Sequence, residues 1–458
     1  MQQTQHVHFI GIGGSGMCGI ARIMLGLGYR VTGSDLKTST ATENLEALGA
    51  TCFRGHAGEY LGDADIVVAS TAIPFSNPEL VEARQRGIRI MHRSEVLAWL
   101  MGRQKGIAIA GAHGKTTTTA MSALVLENNH MDPTIIIGGE MKEIGGNAKL
   151  GRGEYLIAEA DESDGSFLKL EPFIEIITNI EDDHLDHYKS MENIEAAFNE
   201  FIAKVPAAGM AVVCIDDPKI EAMLESYQGP YLTYGLEHPD ADYTGLNLRM
   251  ENNKQVGDVH YRGSYLGQLT LGVPGRHNFL NALAVVALGR FIGLSFDGIS
   301  AALSSFKGVG RRFQLTGEVN GIKVFDDYAH HPSEIKATLS AARQLNPGRL
   351  ISVFQPHRYS RTAMLADRFG EAFSEADIII ISDIYSAGEK PLPDVSAALI
   401  SSAIEKFEGR KPIYLPSKQD IVDYLLPLMQ SGDMVLTMGA GDIWETGVAL
   451  VNNLKERQ

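Results

Sequence analysis

The sequence predicts an α/β protein of three domains, and two observations support this prediction. Short apolar segments alternate with helical stretches along most of the chain, the pattern of parallel sheets covered by helices. The 458 residues also exceed the size at which a single hydrophobic core keeps growing. Because the pattern of apolar and polar segments changes near residues 105 and 311, we expect domains over 1–104, 105–310 and 311–458.

The first domain is predicted to be Rossmann-like, with strands that each lead into a helix. Its strands are expected at His6–Ile10, Arg30–Ser34 and Ile66–Ser70, and its helices at Gly16–Gly26 and Thr42–Leu48. A glycine-rich loop joins the first strand to the first helix and contains Gly11, Gly13, Gly14, Ser15 and Gly16. Such a loop lets backbone N–H groups approach a phosphate at a helix N-terminus.

Asp35 ends the second predicted strand, where an acidic residue binds the ribose of a nicotinamide cofactor. This part of the sequence by itself therefore indicates an NAD-dependent dehydrogenase. The glycine loop favours a dinucleotide or a nucleotide diphosphate as the ligand, and it does not identify which nucleotide binds.

The central domain is predicted to be an α/β domain of the phosphate-loop type. Its strands are expected at Gly106–Gly111, Tyr155–Ala160 and Ile174–Ile180, and its last helices near 278–293 and 297–306. A polar, glycine-punctuated stretch around residues 231–272 indicates a small antiparallel insert.

A Gly-Lys-Thr sequence follows the first strand of the central domain and leads into a helix from Lys115. The loop departs from the full phosphate-loop pattern, because Ile109 stands where the first glycine would be. Its working parts are nevertheless present. The Lys115 ammonium would contact the phosphate that is transferred, and the Thr116 hydroxyl would reach Mg²⁺.

Two acidic clusters follow successive apolar strands of the central domain. The first is Glu159–Asp164, and the second is Asp182-Asp183-His184. Either cluster alone could be a solvated turn. Because both share a domain with the lysine loop, and because Mg²⁺ prefers oxygen ligands, we predict a metal site between them.

The third domain repeats the strand–helix rhythm and is predicted to be a second Rossmann-like sheet. Its strands are expected at Lys323–Tyr328, Leu350–Gln355, Ile378–Asp383, Ile413–Leu415 and Met434–Met438. Arg311-Arg312 precede them, and the polar clusters Asp326–Pro332 and Gln355–Arg361 stand just past two strands, where ligands bind in such sheets. Arg358 and Arg361 are candidates to hold a carboxylate or a phosphate through paired hydrogen bonds.

The composition restricts the partners and the compartment. A formal net charge of −16 argues against nucleic acid or an anionic membrane as the main partner. Three distant cysteines predict neither a disulfide framework nor a thiolate zinc site, which favours a reducing cytoplasm. We see neither a signal peptide nor a membrane span. We expect a cytoplasmic protein with small-molecule partners, as a monomer or a weak homodimer.

Several of these motifs together resemble the Mur ligases of peptidoglycan synthesis. The residues that carry the resemblance are Gly111–Thr119, Glu159–Asp164, Thr178-Asn179 with His184, Gly275–Asn278 with Asn281, and Asp326–Pro332. They extend over all three segments, so the joint pattern is far more specific than any one loop. Within the family, three further stretches resemble the member that adds the first amino acid: Gly11–Gly16, Gly310–Gln314 and Gln355–Thr362.

The resemblance implies an ATP-dependent ligase that joins UDP-N-acetylmuramate to L-alanine through an acyl phosphate. It implies that Lys115 contacts the ATP phosphates and that Thr116, Glu159 and His184 bind Mg²⁺. The other implied ATP-binding residues are Gly111, His113, Gly114, Thr117, Asn278, Asn281 and Arg312. The implied catalytic residues are Lys115, His184, Asp327, His330, His357, Arg358 and Arg361. UDP would lie on the Gly11–Gly16 loop, with Asp35 beside it. A histidine or Asp327 could be the general base, and the sequence does not choose between them.

Three alternatives stay open at this point. A recycling ligase would add an intact tripeptide to the same nucleotide sugar. An NAD-dependent oxidoreductase would explain the first loop, but it would leave the lysine loop and the third domain without a role. A non-catalytic nucleotide sensor would bind ATP and release no phosphate.

Overall fold

A computed structural model describes residues 5–457, apart from the side chain of Asp186. The chain forms two compact units. The first runs to Asn247 and includes Gly257–Thr270 and Leu280–Phe306, and the second comprises Leu248–Val256, Leu271–Phe279 and the chain from Lys307 onward. Among the described residues, no helix is both long enough and apolar enough to cross a bilayer. The boundaries expected from the sequence remain a prediction.

The first sheet has five parallel strands in the order β3-β2-β1-β4-β5. The strands are β1 His6–Ile10, β2 Arg30–Asp35, β3 Thr51–Arg54, β4 Ile66–Ala69 and β5 Arg89–His92, and the helices are α1 Ser15–Gly26, α2 Thr40–Ala47, α3 Pro78–Gln85 and α4 Arg93–Met101. The strand order reverses between β1 and β4, which is where Rossmann-like sheets bind ligands. The glycine loop follows β1, so the Rossmann-like prediction is confirmed and the loop lies at this switch point.

The central sheet has ten strands in the order β15-β14-β13-β12-β11-β10-β6-β9-β7-β8. The strands are β6 Lys105–Ala110, β7 Thr134–Met141, β8 Gly146–Lys149, β9 Tyr155–Glu159, β10 Ile174–Ile177, β11 Met210–Cys214, β12 Tyr231–Gly235, β13 Tyr243–Glu251, β14 Lys254–Tyr261 and β15 Ser264–Leu271. The helices are α5 Lys115–Asn128, α6 Leu185–Tyr188, α7 Met191–Ile202, α8 Pro218–Ser226, α9 Arg276–Phe291 and α10 Phe296–Ser304. Strand β6 lies between β10 and β9 and is parallel to both. The lysine loop and the two acidic clusters therefore leave the sheet at the same edge.

The predicted insert continues the central sheet rather than forming a separate one. Strand β12 is parallel to β11 and to β13, so the stretch is not antiparallel throughout. Only two residues, Asn252 and Asn253, join β13 to β14, and both have positive φ angles. Two-residue connections of this kind join antiparallel neighbours, so the antiparallel part is β13–β15.

The third sheet has six strands in the order β16-β17-β21-β18-β19-β20. The strands are β16 Gln314–Val319, β17 Ile322–Asp327, β18 Arg349–Phe354, β19 Ile378–Ile381, β20 Ile413–Tyr414 and β21 Asp433–Met438. The helices are α11 Pro332–Arg343, α12 Tyr359–Phe369, α13 Ala397–Glu408, α14 Lys418–Leu425 and α15 Trp444–Glu456. All pairings are parallel except that of β16 with β17. This confirms the second Rossmann-like sheet, and it adds an antiparallel edge strand that the sequence did not reveal.

Candidate active site

The lysine loop leaves strand β6 in a conformation that its glycines permit. Gly111 has a φ of +128° and Gly114 a φ of +84°, where an L side chain is strained. A Cβ on Gly114 would also lie 2.7 Å from Oδ1 of Asn281. Ile109 is fully buried in β6, so the strand still continues where a phosphate loop would have its first glycine.

Asn179 and Thr178 hold the loop from strand β10. The amide of Asn179 contacts the His113 backbone twice: Oδ1 accepts from His113 N at 2.8 Å, and Nδ2 donates to His113 O at 3.0 Å. The Thr178 hydroxyl also donates to His113 O. The His113 ring lies 3.4 Å from the Glu181 carboxylate. These contacts fix the backbone shape just before Lys115.

Lys115 points its ammonium into the acidic end of the domain. Nζ lies 2.8 Å from Oε1 of Glu162 and also donates to the carbonyl oxygens of Gly111 and Ala112. Burial alone would lower the pKa of Lys115, but Glu162 and the neighbouring carboxylates outweigh it, so the pKa is raised. The group is a firmly charged cation at neutral pH, as phosphate binding requires.

Thr116 and Glu159 meet beside the lysine. The Thr116 hydroxyl lies 3.1 Å from Oε2 of Glu159, while Oε1 of Glu159 accepts the Gly138 N–H at 2.6 Å. A Cβ on Gly138 would come within 2.9 Å of that carboxylate. The strand backbone therefore orients Glu159 and presents one oxygen toward Thr116. A hydroxyl and a carboxylate in this arrangement suit Mg²⁺.

Two further acidic residues of the first cluster, Asp161 and Asp164, contact residues of the first domain. Asp161 forms an ion pair with Arg93 of α4. Burial would raise the pKa of Asp161, but Arg93 and Lys115 hold it down at about 2. Asp164 accepts from the Thr71 hydroxyl at 3.0 Å. These two carboxylates thus connect the central domain to the first, and Glu159 and Glu162 remain at the lysine loop.

His184 lies against the same carboxylates. Its φ is +63°, and its Nε2 is 3.5 Å from Oε1 of Glu162 and 3.5 Å from Oδ2 of Asp183. Burial would lower the pKa of His184, but the two carboxylates outweigh it and raise the pKa. The sequence placed Lys115, Glu159 and His184 in one site, and the structure brings them together there.

Asn278 and Asn281, the two asparagines predicted to bind ATP, have different neighbours. Asn281 lies against Gly114, so close that a Cβ on Gly114 would be 2.7 Å from its Oδ1. Asn278 is buried, and its amide donates to the carbonyl oxygen of Pro274 at 2.6 Å. The adenine contact predicted for both stays a prediction.

In the first domain, Asp35 supports the glycine loop directly. Its Oδ2 accepts the Gly13 N–H at 2.9 Å, and Gly11 N donates to Ser34 O at 2.8 Å. Helix α1 begins at Ser15 without a side-chain cap, which leaves backbone donors at its N-terminus. Arg93 approaches the same helix, since a Cβ on Gly16 would lie 2.9 Å from its guanidinium. Loop, helix and arginine together have the donors that an anion needs, and its binding here stays a prediction.

In the second unit, the two aspartates at the end of β17 have structural partners. Asp327 accepts from Phe313 N and Ala329 N, each at 2.7 Å. Burial raises its pKa to about 6. Asp326 contacts Arg311 at 3.1 Å and the Thr437 hydroxyl at 2.8 Å, and burial raises its pKa as well. Both oxygens of Asp327 are therefore engaged by backbone.

Two arginines flank Tyr328 in the same unit. The guanidinium groups of Arg311 and Arg312 lie 4.9 Å and 5.2 Å from the ring centroid. Arg311 also donates to the carbonyl oxygens of Gly439 and Gly441. Arg312 lies 3.7 Å from the Glu334 carboxylate. Arg311 is thus the structural arginine, whereas the predicted ATP contact of Arg312 stays a prediction.

His330, His357 and Arg361 form a second polar cluster. The two rings meet edge to face with centroids 5.9 Å apart, and an Arg361 nitrogen lies 3.2 Å from Nδ1 of His357. Burial lowers the pKa of His357 to about 3, helped by nearby cations, so its imidazole is neutral. Arg358 has a φ of +71°, and its Nε has no hydrogen-bond acceptor within residues 5–457. The cluster offers cationic donors for an anionic ligand.

Some residues of the site had no role in the sequence-based prediction. In the sequence Glu162 is one member of an acidic cluster, and Arg93 and Gly138 belong to none of the motifs. A signal existed for Glu162, since it lies three residues beyond Glu159 after a buried strand. Nothing comparable in the sequence points to Arg93 or Gly138, which reach the site only through the tertiary fold.

A Gly-Lys-Thr loop beside paired carboxylates, in a chain that also has two Rossmann-like sheets, defines a class: multidomain α/β enzymes that act on nucleotide phosphates. Three family domains match the chain, the Mur ligase catalytic domain over residues 6–105, the Mur ligase middle domain over 109–289 and the Mur ligase glutamate ligase domain over 311–441. The chain belongs to the Mur ligase family.

Individual members of the family are similar to this chain over its whole length. A UDP-N-acetylmuramate–L-alanine ligase from Pelotomaculum thermopropionicum is 70% identical over 458 residues, which cover 100% of this chain and 99% of that protein. The crystal structure of the UDP-N-acetylmuramate-alanine ligase from Thermotoga maritima has a TM-score of 0.86 at 30% identity and covers 99% of this chain and 100% of its own. A murein peptide ligase from Psychrobacter arcticus has a TM-score of 0.74 at 26% identity, with 98% of each chain covered.

Proposed function

We propose that this protein is an ATP-dependent ligase that joins UDP-N-acetylmuramate to L-alanine through an acyl phosphate, as a step of peptidoglycan precursor synthesis. The observation that carries the proposal is the Lys115–Glu162 pair beside Thr116 and Glu159. The substrates follow from the relative that is 70% identical over the whole chain and bears that name. Its nucleotide substrates favour a cytoplasmic site of action. A monomer or weak homodimer stays our expectation for the oligomeric state.

The first half-reaction transfers a phosphoryl group. A carboxylate oxygen of UDP-N-acetylmuramate attacks the γ-phosphorus of ATP, and ADP leaves. Two anions must meet in this step, so positive charge at the phosphoryl oxygens decides the rate. Lys115 supplies that charge, and Thr116 and Glu159 would hold Mg²⁺. A bound Mg²⁺ would neutralise further phosphoryl oxygen charge.

The second half-reaction forms the amide. The neutral amine of alanine attacks the acyl carbon, and the tetrahedral intermediate breaks its bond to the phosphate oxygen. Before this step the alanine ammonium must give up a proton to a base. Among the candidates, the geometry favours His330 over Asp327, whose two oxygens already accept backbone N–H groups.

The orientation of His330 supports this role. Its Nδ1 lies 3.0 Å from the carbonyl oxygen of Tyr328, which can only accept a hydrogen bond. The Glu334 carboxylate lies 3.3 Å from the same nitrogen. Both neighbours accept from Nδ1, so a neutral form of the ring would carry its hydrogen there. Arg361 and Arg358 would hold the anionic groups of alanine or the acyl phosphate. The Gly11–Gly16 loop with Arg93 would bind the UDP diphosphate.

Phosphate release from ATP and Mg²⁺ tests this proposal when UDP-N-acetylmuramate is supplied with either alanine or the intact tripeptide. We expect release with alanine and much less with the tripeptide. More phosphate release with the tripeptide than with alanine would make the protein a recycling ligase. The structural similarity to a murein peptide ligase is the reason to include this alternative. Release with neither amine would overturn the ligase assignment and leave a nucleotide sensor. Oxidation of a nicotinamide cofactor would identify the dehydrogenase alternative.

A further inference from the structure

Tyr385 lies in the loop after β19 and pairs with the backbone on both sides of His357. Its N–H donates to Pro356 O at 2.8 Å, and its carbonyl oxygen accepts from Arg358 N at 2.8 Å. The loop thus forms an isolated parallel bridge with the segment that carries the polar cluster. A positive φ such as that of Arg358 is unfavourable for a non-glycine residue and persists only where its surroundings hold it.

The side chain of Tyr385 makes the second contact. Its ring stacks on the imidazole of His357, with centroids 5.8 Å apart and planes inclined by 9°. Gly441 lies close to the same ring, because a Cβ on Gly441 would be 2.6 Å from Cγ of Tyr385. The ring therefore has two neighbours, His357 and Gly441, although 39% of the residue is exposed to solvent. Nothing in the proposed mechanism uses this tyrosine.

The same loop also caps helix α12, which carries Arg361. Glu389 accepts from Ser360 N at 3.1 Å and from the Ser360 hydroxyl at 2.6 Å. The N-cap residue Arg358 supplies no side-chain cap, so this carboxylate replaces one. Two contacts from one loop, at Tyr385 and Glu389, hold the start of the helix.

We propose that Tyr385 is a positioning residue for the amino-acid substrate, which fixes the His357 ring by stacking and the Arg358 backbone by its paired hydrogen bonds. The proposal deepens the proposed function and rests on it in taking alanine as the ligand of this cluster. In this proposal the aromatic ring of Tyr385, and not its hydroxyl group, positions His357.

Steady-state kinetics of Tyr385→Leu and Tyr385→Phe test the proposal. The Leu variant removes the aromatic face, and we expect its KM for alanine to rise about tenfold while its KM for ATP stays near the wild-type value. The Phe variant keeps the stack and should restore most of the affinity for alanine. Tyr265→Leu, an exposed tyrosine of the central sheet, is the matched control and should leave all constants unchanged.

A wild-type KM for alanine in Tyr385→Leu would overturn the proposal. So would a parallel rise in the KM for ATP, which indicates general damage to the fold, or a Phe variant as poor as the Leu variant. These outcomes differ from a failure of the proposed function, in which the wild-type protein itself releases no phosphate with alanine.

A spectroscopic measurement tests the stacking without any turnover. In protein labelled at histidine, the ring signals of His357 are identified by their loss in His357→Asn. Because a stacked aromatic ring shifts those signals, we expect them to move in Tyr385→Leu and to stay close to wild type in Tyr385→Phe. Unmoved signals in the Leu variant would contradict the positioning role, whatever the substrate proves to be.

Discussion

The ammonium of Lys115 lies 2.8 Å from Oε1 of Glu162, and Oε2 of Glu162 is buried without a hydrogen-bond partner in the described part of the chain. A buried carboxylate oxygen without a donor is costly, so its position next to the lysine of the Gly-Lys-Thr loop points to a cation or ligand donor in the working enzyme. Glu162 also approaches His184 at 3.5 Å. It therefore connects the lysine loop to the second acidic cluster.

Replacement of the lysine tests its electrostatic role. We expect Lys115→Ala to lower kcat by about 10²–10³ or more, because one well-aimed charge is lost from the phosphoryl transfer step. Circular dichroism should show an unchanged fold. Lys105→Ala is the matched control, since Lys105 starts the same strand and pairs with Glu154 at the surface. Wild-type turnover in Lys115→Ala would remove Lys115 from the mechanism.

Replacement of Glu159 tests the proposed metal site. Glu159→Gln keeps the size of the side chain but loses the charge that faces Thr116, so we expect at least a tenfold higher Mg²⁺ concentration for half-maximal rate, about the scale seen for groups around metals. Titration of the initial rate with Mg²⁺ measures this. Glu154→Gln, just before strand β9 and paired with Lys105 at the start of β6, should leave the Mg²⁺ requirement unchanged. An unaltered Mg²⁺ curve for Glu159→Gln would place the metal elsewhere.

The role of Gly114, which precedes Lys115, can be tested by comparing its replacement with that of Gly28, a glycine with a similar positive φ angle. Gly114→Ala combines a φ of +84° with a clash against Asn281, whereas Gly28→Ala has a φ of +89° and open space around it. Both should lose about 1–2 kcal/mol of stability. Only Gly114→Ala should also raise the KM for ATP, by about tenfold. Equal KM values in the two variants would show that the loop shape is unimportant for nucleotide binding.

The raised pKa of Asp327 predicts a particular pH dependence of stability. Burial raises this pKa to about 6, above the roughly 3.9 of an unfolded aspartate. Between these values the folded state keeps a proton that the unfolded state has released, so wild-type stability falls as the pH rises through this window. Asp327→Asn cannot ionise and should not show this fall, which is on the order of 2–3 kcal/mol.

Urea unfolding of both proteins at several pH values from 4 to 6.5 measures the effect. The variant carries a constant cost, because its NH₂ group faces a backbone donor, and only the change with pH is diagnostic. Parallel pH profiles for the two proteins would mean that Asp327 has an ordinary pKa in the fold.

The acidic cluster shows how far sequence reasoning could go. The sequence located Glu159–Asp164 next to a phosphate loop, because composition and the preceding apolar strand are local features. It could not assign the partners, since the backbone turns after β9 and sends the carboxylates in different directions. Glu159 faces Thr116, Glu162 faces Lys115, and Asp161 reaches Arg93 at the start of helix α4.

In the second unit, too, the sequence predicted some features and not others. The strand–helix rhythm predicted its sheet, and clusters past the strands predicted where polar groups collect. Strand β16 was missed, because Gln314–Val319 is largely exposed and lacks a clear apolar pattern. The role of Tyr385 was also hidden, since its loop meets Arg358 only through backbone pairing across the sheet edge.

Transfer of an oxygen label tests the central claim most directly. UDP-N-acetylmuramate with an ¹⁸O-labelled carboxylate is turned over with ATP, Mg²⁺ and alanine, and the released inorganic phosphate is analysed by mass. An acyl phosphate requires that each phosphate leave with one oxygen from the carboxylate, so the phosphate should carry a single ¹⁸O atom. The second carboxylate oxygen stays in the amide carbonyl by any route, so only the leaving group is diagnostic. Unlabelled phosphate, with the ¹⁸O found in AMP instead, would contradict the acyl phosphate route.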